Sequence, residues 1–248
     1  MMGLGKAYLD EVRTLVDNVE NTQAEKIREA AKAIADSVAN NGAVHLMDTG
    51  HMLMNEMFGR VGGLMMLRPV TINIAVDNPG PRREGKSKAT VYLDEIPGLP
   101  EFVLERSDIH PGDVLIIGSV SGKNALPVGL ALAARQQGVT VIALTSVAYS
   151  KSLESAHPSG KRLFEAADIV LDNCGTIGDA VLDVEGMDVK VCPTSGIAAA
   201  LLMWTLEAQI VQEMLARGLK PHAWLSNHLP GADSFNKTAK ADTERLGY

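Results

Sequence analysis

Cysteine is scarce: Cys174 and Cys192 are the only two in 248 residues, and their separation fits neither a disulfide framework nor a zinc motif. A reduced, cytoplasmic protein with no bound metal is the economical expectation. Long apolar runs are also missing. The longest, residues 196–206, stops at Glu207 and is too short to span a bilayer. The opening Met-Met-Gly-Leu-Gly-Lys lacks the apolar region of a signal peptide. Positive charge is in deficit, and a net charge of −7 argues against broad electrostatic binding to nucleic acid. Two nucleotide signatures are absent as well. A P-loop places four residues between its first glycine and Gly-Lys-Ser/Thr. Here three residues separate Gly118 from Gly122-Lys123, and Asn124 stands where a magnesium-binding hydroxyl belongs. No Gly-x-Gly-x-x-Gly follows any expected strand, so dinucleotide binding has no support.

What is present is an ordinary core-forming composition, 46% hydrophobic and 21% charged, at a length that suits one large α/β domain spanning residues 1–248. Apolar residues recur at helical spacing over 6–40, with a break near Asn21-Thr22 that reads as two helices. An α/β core over 41–218 follows. Its strands are expected at 43–47, 70–76, 113–118, 139–144 and 169–171, and its helices at 51–60, 99–106, 125–137 and 195–217. The stretch 77–88 reads as a loop, and 219–248 as a tail lying over the site. Strands alternating with helices imply a three-layer, doubly wound sandwich around a mainly parallel, five-stranded sheet.

The strand at 113–118 runs into Ser119-Val-Ser-Gly-Lys-Asn124 and then a helix. Backbone N–H groups at a helix start, together with nearby hydroxyls, can hold phosphate oxygens. In a flavodoxin-like strand order the strands ending at Asp48 and Gly118 are neighbours at the switch point, where such sheets bind ligands. Thr49-Gly50-His51 and the 119–124 loop then face one crevice. The expected ligand is a phosphorylated metabolite.

These residues resemble the sugar isomerase (SIS) domain family. The resemblance is carried by Gly118-Ser-Val-Ser-Gly-Lys-Asn124, Asp48-Thr-Gly-His51 and Pro193-Thr-Ser-Gly196. Further matches, to stand-alone SIS proteins, are Glu56, Arg60, Gly62 and Gly63, then His157-Pro-Ser-Gly-Lys161, Gly178-Asp-Ala180 and the segment 227–236. The resemblance implies the flavodoxin-like SIS fold with N-terminal helices, a sugar phosphate as ligand, and a homodimer or higher homo-oligomer. It implies aldose–ketose isomerisation through an enediol, by acid/base chemistry without a cofactor. A non-catalytic sugar-phosphate sensor and an etherase-type lyase are the alternatives. Phosphate and sugar contacts are expected from Thr49, Gly50, His51, Ser119, Ser121, Gly122, Lys123, Asn124, Thr194 and Ser195. Asn124 and Met52 depart from the family, which favours hydroxyl residues at both positions.

Glutamate and histidine are the usual proton carriers in such chemistry. Glu56 is the first choice for the base, with His51 and His228 as acid/base partners. Each has a structural alternative. Glu56 and Arg60 are four apart and can form a helix pair worth ~0.3–0.5 kcal/mol. His51 can cap a helix, and Thr194-Ser195 is a fitting N-cap, worth about 1 kcal/mol. Lys123 can be merely solvated.

Overall fold

The computed structural model describes residues 3–49, 53–74 and 93–248. Gly50, His51, Met52, the loop expected at 77–88 and the end of the strand expected at 70–76 lie outside those residues. Five strands, β1 (Val44–Asp48), β2 (Leu67–Pro69), β3 (Val114–Gly118), β4 (Thr140–Thr145) and β5 (Ile169–Asp172), form one sheet. Every pairing is parallel and the order is β2-β1-β3-β4-β5, the flavodoxin-like order expected.

The near-continuous apolar strands follow from burial on both faces. Successive side chains point to opposite sides, so each strand feeds two cores. Val44, Leu46, Val114, Ile116, Ile142, Leu144, Ile169 and Leu171 pack under α1 (Gly3–Ala39) and α7 (Ser195–Ala216). Met47, Leu115, Ile117, Val141 and Ala143 pack under α3 (Leu99–Arg106), α4 (Ala125–Gln136) and α6 (Leu163–Ala166). Fully buried positions such as Leu202 and Ile116 are sites where truncation to alanine costs roughly 2–5 kcal/mol.

Three expectations need correcting. The first two helices are one: α1 runs unbroken through Asn21-Thr22. The Thr22 hydroxyl donates to the Asn18 carbonyl one turn back (2.7 Å), and Gln23 is buried with its Oε1 accepting the Asp172 N–H (2.9 Å). Polar residues thus serve the helix and its contact with the sheet, where a periodicity argument reads a break. The second strand lies earlier than 70–76. Leu67 is opposite Val44 and Pro69 opposite Leu46, so this register carries residues beyond 71 past the end of β1. The helix expected at 51–60 is the short α2 (Leu53–Glu56), followed by left-handed Gly59 and Gly62.

Other elements went unread. They are α5 (Val147–Lys151), α6, a two-stranded antiparallel hairpin of β6 (Ala180–Leu182) with β7 (Val191–Pro193), and α8 (Ala232–Leu246). The expected C-terminal tail is largely α8. It buries Ala232, Asn236, Ala239 and Thr243, a helical stripe of small and polar residues with no apolar signature. Asn236 fixes the preceding segment by bonding both the N–H and the carbonyl of Leu225.

Candidate functional site

β1 and β3 end side by side, with Asp48 opposite Gly118. The Thr49 N–H and hydroxyl both donate to the Gly118 carbonyl, at 3.0 and 3.2 Å. Gly118 leaves the Asp48 side chain its place: a Cβ there would lie 2.6 Å from Asp48 Oδ1 and 3.2 Å from Leu53 Cδ1, and the carboxylate would have to shift. That closeness lets the Asp48 carboxylate reach the crevice while its Oδ2 accepts the Leu53 N–H at the start of α2 (3.3 Å).

A cavity of about 480 Å³ opens at this switch point, lined by Asp48, Leu53, Ser119, Asp179, Cys192 and Ser195 among others. Tyr8 reaches it from α1, its hydroxyl donating to the Pro193 carbonyl at 2.7 Å. Burial first, then the negative charge at Cys192 and Asp179, pushes the Tyr8 phenol above its ordinary pKa. An adjoining cavity of about 460 Å³ is lined by Asp48, Thr49, Asp94 and Asn124. Asp48 borders both. The structure therefore brings Ser119 and the end of β1 together, as the strand order implied, and Ser195 beside them, where the resemblance put it.

Two helix starts carry carboxylates of the chain itself. At α4, Asp94 Oδ1 accepts the Leu126 N–H (2.8 Å), and its Oδ2 takes the Asn124 side-chain amide (2.9 Å). Pro127 has no N–H to offer. At α7, Asp179 Oδ1 accepts the N–H groups of Thr194 and Ser195 (3.1 and 2.8 Å), and Oδ2 the Ser195 hydroxyl (2.6 Å). These two carboxylates share the positive ends expected to hold phosphate, and at α7 the N–H groups of Gly196 and Ile197, which line the cavity, keep no acceptor among the described residues. Asn124 and Ser195 are committed to the carboxylates.

Further free donors lie within the 119–124 loop. The Val120 carbonyl accepts from the Ser146 N–H (3.0 Å) and the Thr145 hydroxyl (3.1 Å). The Gly122 carbonyl accepts from the Leu163 N–H (2.7 Å), and that of Lys123 from the Ala156 N–H (2.9 Å). In a planar trans peptide the N–H is antiparallel to the C=O. Anchoring these three carbonyls to the body therefore turns the N–H groups of Ser121, Lys123 and Asn124 the opposite way. Among the described residues no acceptor takes the N–H of any residue from 120 to 124. Successive backbone N–H groups left free in a turn can hold an anion. Gly122 makes the turn possible: its φ is +57°, and a Cβ would meet Thr145 Oγ1 at 2.8 Å and Ser150 Oγ at 3.0 Å. The buried Ser119 and half-buried Ser121 hydroxyls bond to nothing among the described residues, and Lys123 makes no ion pair there.

The remaining expected residues stand elsewhere. Glu56 lines neither cavity; its Oε1 accepts from Trp204 Nε1 and from Arg60, each at 3.2 Å. His228 is exposed in the turn before α8. Thr194 is buried beside Asp179. Gly50 and His51 lie outside the described residues. Asp48, Asp94, Asp179 and Tyr8 were missed. Asp48 and Asp179 stand in the motifs that carry the resemblance but were given no role there, and nothing in the sequence ties Asp94 to a helix that starts at Ala125.

Comparison with known proteins agrees with this fold. The SIS domain matches residues 7–146, more than half of the chain, and the chain belongs to that family. Its curated relatives include a UPF0309 protein of Listeria monocytogenes serotype 4b, 35% identical over 93% of this chain and 92% of its own length. Another, from Caldanaerobacter subterraneus subsp. tengcongensis, is 36% identical over 92% of this chain and 93% of its own length. Two solved structures share the fold. One is the phosphoheptose isomerase GmhA from Neisseria gonorrhoeae (TM-score 0.50, 18% identity, 86% of this chain and 97% of that one). The other is a phosphoheptose isomerase from Francisella tularensis (TM-score 0.51, 17% identity, 86% of this chain and all of that one).

Proposed function

We propose that the chain binds a phosphorylated sugar and interconverts its aldose and ketose forms. The observation that carries this reading is the 119–124 loop, with three carbonyls tied to the body and its N–H groups left for an anion. The loop's outward N–H groups and the Ser119 and Ser121 hydroxyls hold the phosphate, with Lys123 adding charge. The sugar extends into the cavity bordered by Asp48, Ser195 and Tyr8. SIS membership and the fold shared with two phosphoheptose isomerases support a sugar phosphate over other anions.

Isomerisation needs a base that takes the proton from the carbon beside the carbonyl and returns it to the neighbouring carbon of the enediolate. Asp48 is the carboxylate bordering both cavities and is the stronger candidate on position. Glu56 supports the site through Trp204, and His51 and His228 are the proposed acids. A second reading, a sugar-phosphate sensor, is favoured by one observation: Glu56 is held by Trp204 and Arg60 outside the cavity.

A panel of aldose and ketose 6-phosphates, followed by thermal shift for binding and by NMR in D2O for conversion and exchange, separates the readings. Isomerisation predicts solvent deuterium at the substrate carbon, abolished in Asp48→Asn and retained at a reduced level in Glu56→Gln. Binding without exchange favours the sensor. No binding of any phosphate sinks both.

A further inference from the structure

The motif His157-Pro-Ser-Gly-Lys161 has no part in the proposed chemistry, yet it lies in the segment between α5 and α6 that holds the anion loop from behind. Ala156 donates its N–H to the Lys123 carbonyl and Leu163 to that of Gly122. Because C=O and N–H oppose each other across a peptide, the position of Ala156 sets the direction of the Asn124 N–H, and that of Leu163 the Lys123 N–H.

Residue 157 organises this segment. His157 Nδ1 accepts the Ser159 N–H at 3.1 Å and lies 2.8 Å from the Ser159 hydroxyl. A ring nitrogen that accepts a backbone N–H carries no hydrogen of its own. The His157 N–H donates to Ser155 Oγ (3.0 Å), which in turn donates to the Lys161 carbonyl (2.6 Å). Lys161 N–H donates to Ser159 Oγ (3.2 Å), and Gly160 N–H to the His157 carbonyl (2.9 Å). The ring rests on α4 where that helix has a glycine: a Cβ at Gly129 would lie 3.4 Å from His157 Nε2. One imidazole thus joins the turn, the helix behind the anion loop and, through Ala156, the loop itself.

We infer that His157 is a positioning residue for the phosphate site, fixing through Ala156 and Leu163 the direction of the Lys123 and Asn124 N–H groups. This rests on the proposal that the 119–124 loop binds phosphate. An acceptor that takes the N–H two residues on is the geometry of an Asx-turn, so asparagine can reproduce the role of Nδ1, whereas alanine cannot.

The test uses the full chain and two probes, inorganic phosphate and fructose 6-phosphate, titrated by calorimetry into wild type, His157→Ala and His157→Asn, with the melting temperature of each. His157→Ala is expected to weaken the binding of both probes by roughly tenfold or more, the loss of one charge-assisted hydrogen bond. His157→Asn is expected to return affinity to within about threefold of wild type. Wild-type affinity in His157→Ala overturns the inference and leaves the loop's phosphate role standing. If His157→Ala does not fold, the asparagine variant decides: a folded His157→Asn with affinity lost overturns the inference. Failure of wild type to bind either probe overturns the phosphate reading itself.

Discussion

Glu207 sits in the core on α7, only 4% exposed, with one carboxylate oxygen accepting the Leu64 N–H at 3.0 Å and the other without a partner among the described residues. Burial pushes its carboxyl from an ordinary 4.5 up to about 7, and the Leu64 bond only partly opposes the rise. A folded-state pKa above the unfolded one means that the native state holds the proton more tightly. The stabilisation is therefore complete below about pH 4.5 and is lost as pH rises through 7. At about 1.4 kcal/mol for each pH unit, the loss amounts to roughly 3 kcal/mol. Glu207→Gln keeps an oxygen for Leu64 and cannot ionise. Urea unfolding at pH 4 and pH 8.5 should show wild type losing roughly 3 kcal/mol more than Glu207→Gln across that interval. For a chain of this size that is a difference in melting temperature of roughly 6–12 °C. Parallel pH dependence in the two proteins would refute the reasoning, since Glu207 would then be ionised or solvated in the native state.

Gly122→Ala should cost about 2 kcal/mol or more, from its left-handed backbone and from a Cβ placed 2.8 Å from Thr145 Oγ1, and should abolish phosphate binding; urea unfolding and calorimetry check the two effects. Asp94→Ala removes the carboxylate capping α4, so stability should fall by about 1 kcal/mol in urea unfolding. The same change frees the Leu126 N–H and the Asn124 amide, so phosphate should bind more tightly by calorimetry; unchanged or weaker binding would show that the capped helix start does not compete with the loop.

The central fold was legible because each strand of the parallel sheet is buried on both faces. Runs such as Val114–Gly118 announce themselves without a partner in view. The β2 strand did not, because its place is set by pairing with β1 rather than by its own composition. α8 escaped because Ala232, Asn236, Ala239 and Thr243 form a stripe only after packing. At the site, the Ser119–Asn124 sequence disclosed the turn between β3 and α4. The capping by Asp94 and Asp179 could not be read, since it joins residues 32 and 16 positions apart. Glu56 was placed on the right helix, but which way a four-residue helix turns is decided by Trp204 on α7.

The central claim is that phosphate is held by the N–H groups that the anchored carbonyls of Val120, Gly122 and Lys123 turn outward. Titration of the isotope-labelled protein with fructose 6-phosphate, followed by amide NMR, reads those groups directly. The account predicts that the Ser121, Lys123 and Asn124 amides move first and furthest, in proportion to one another and to saturation. Saturable shifts centred on the start of α7 instead, with these three amides still, would contradict it.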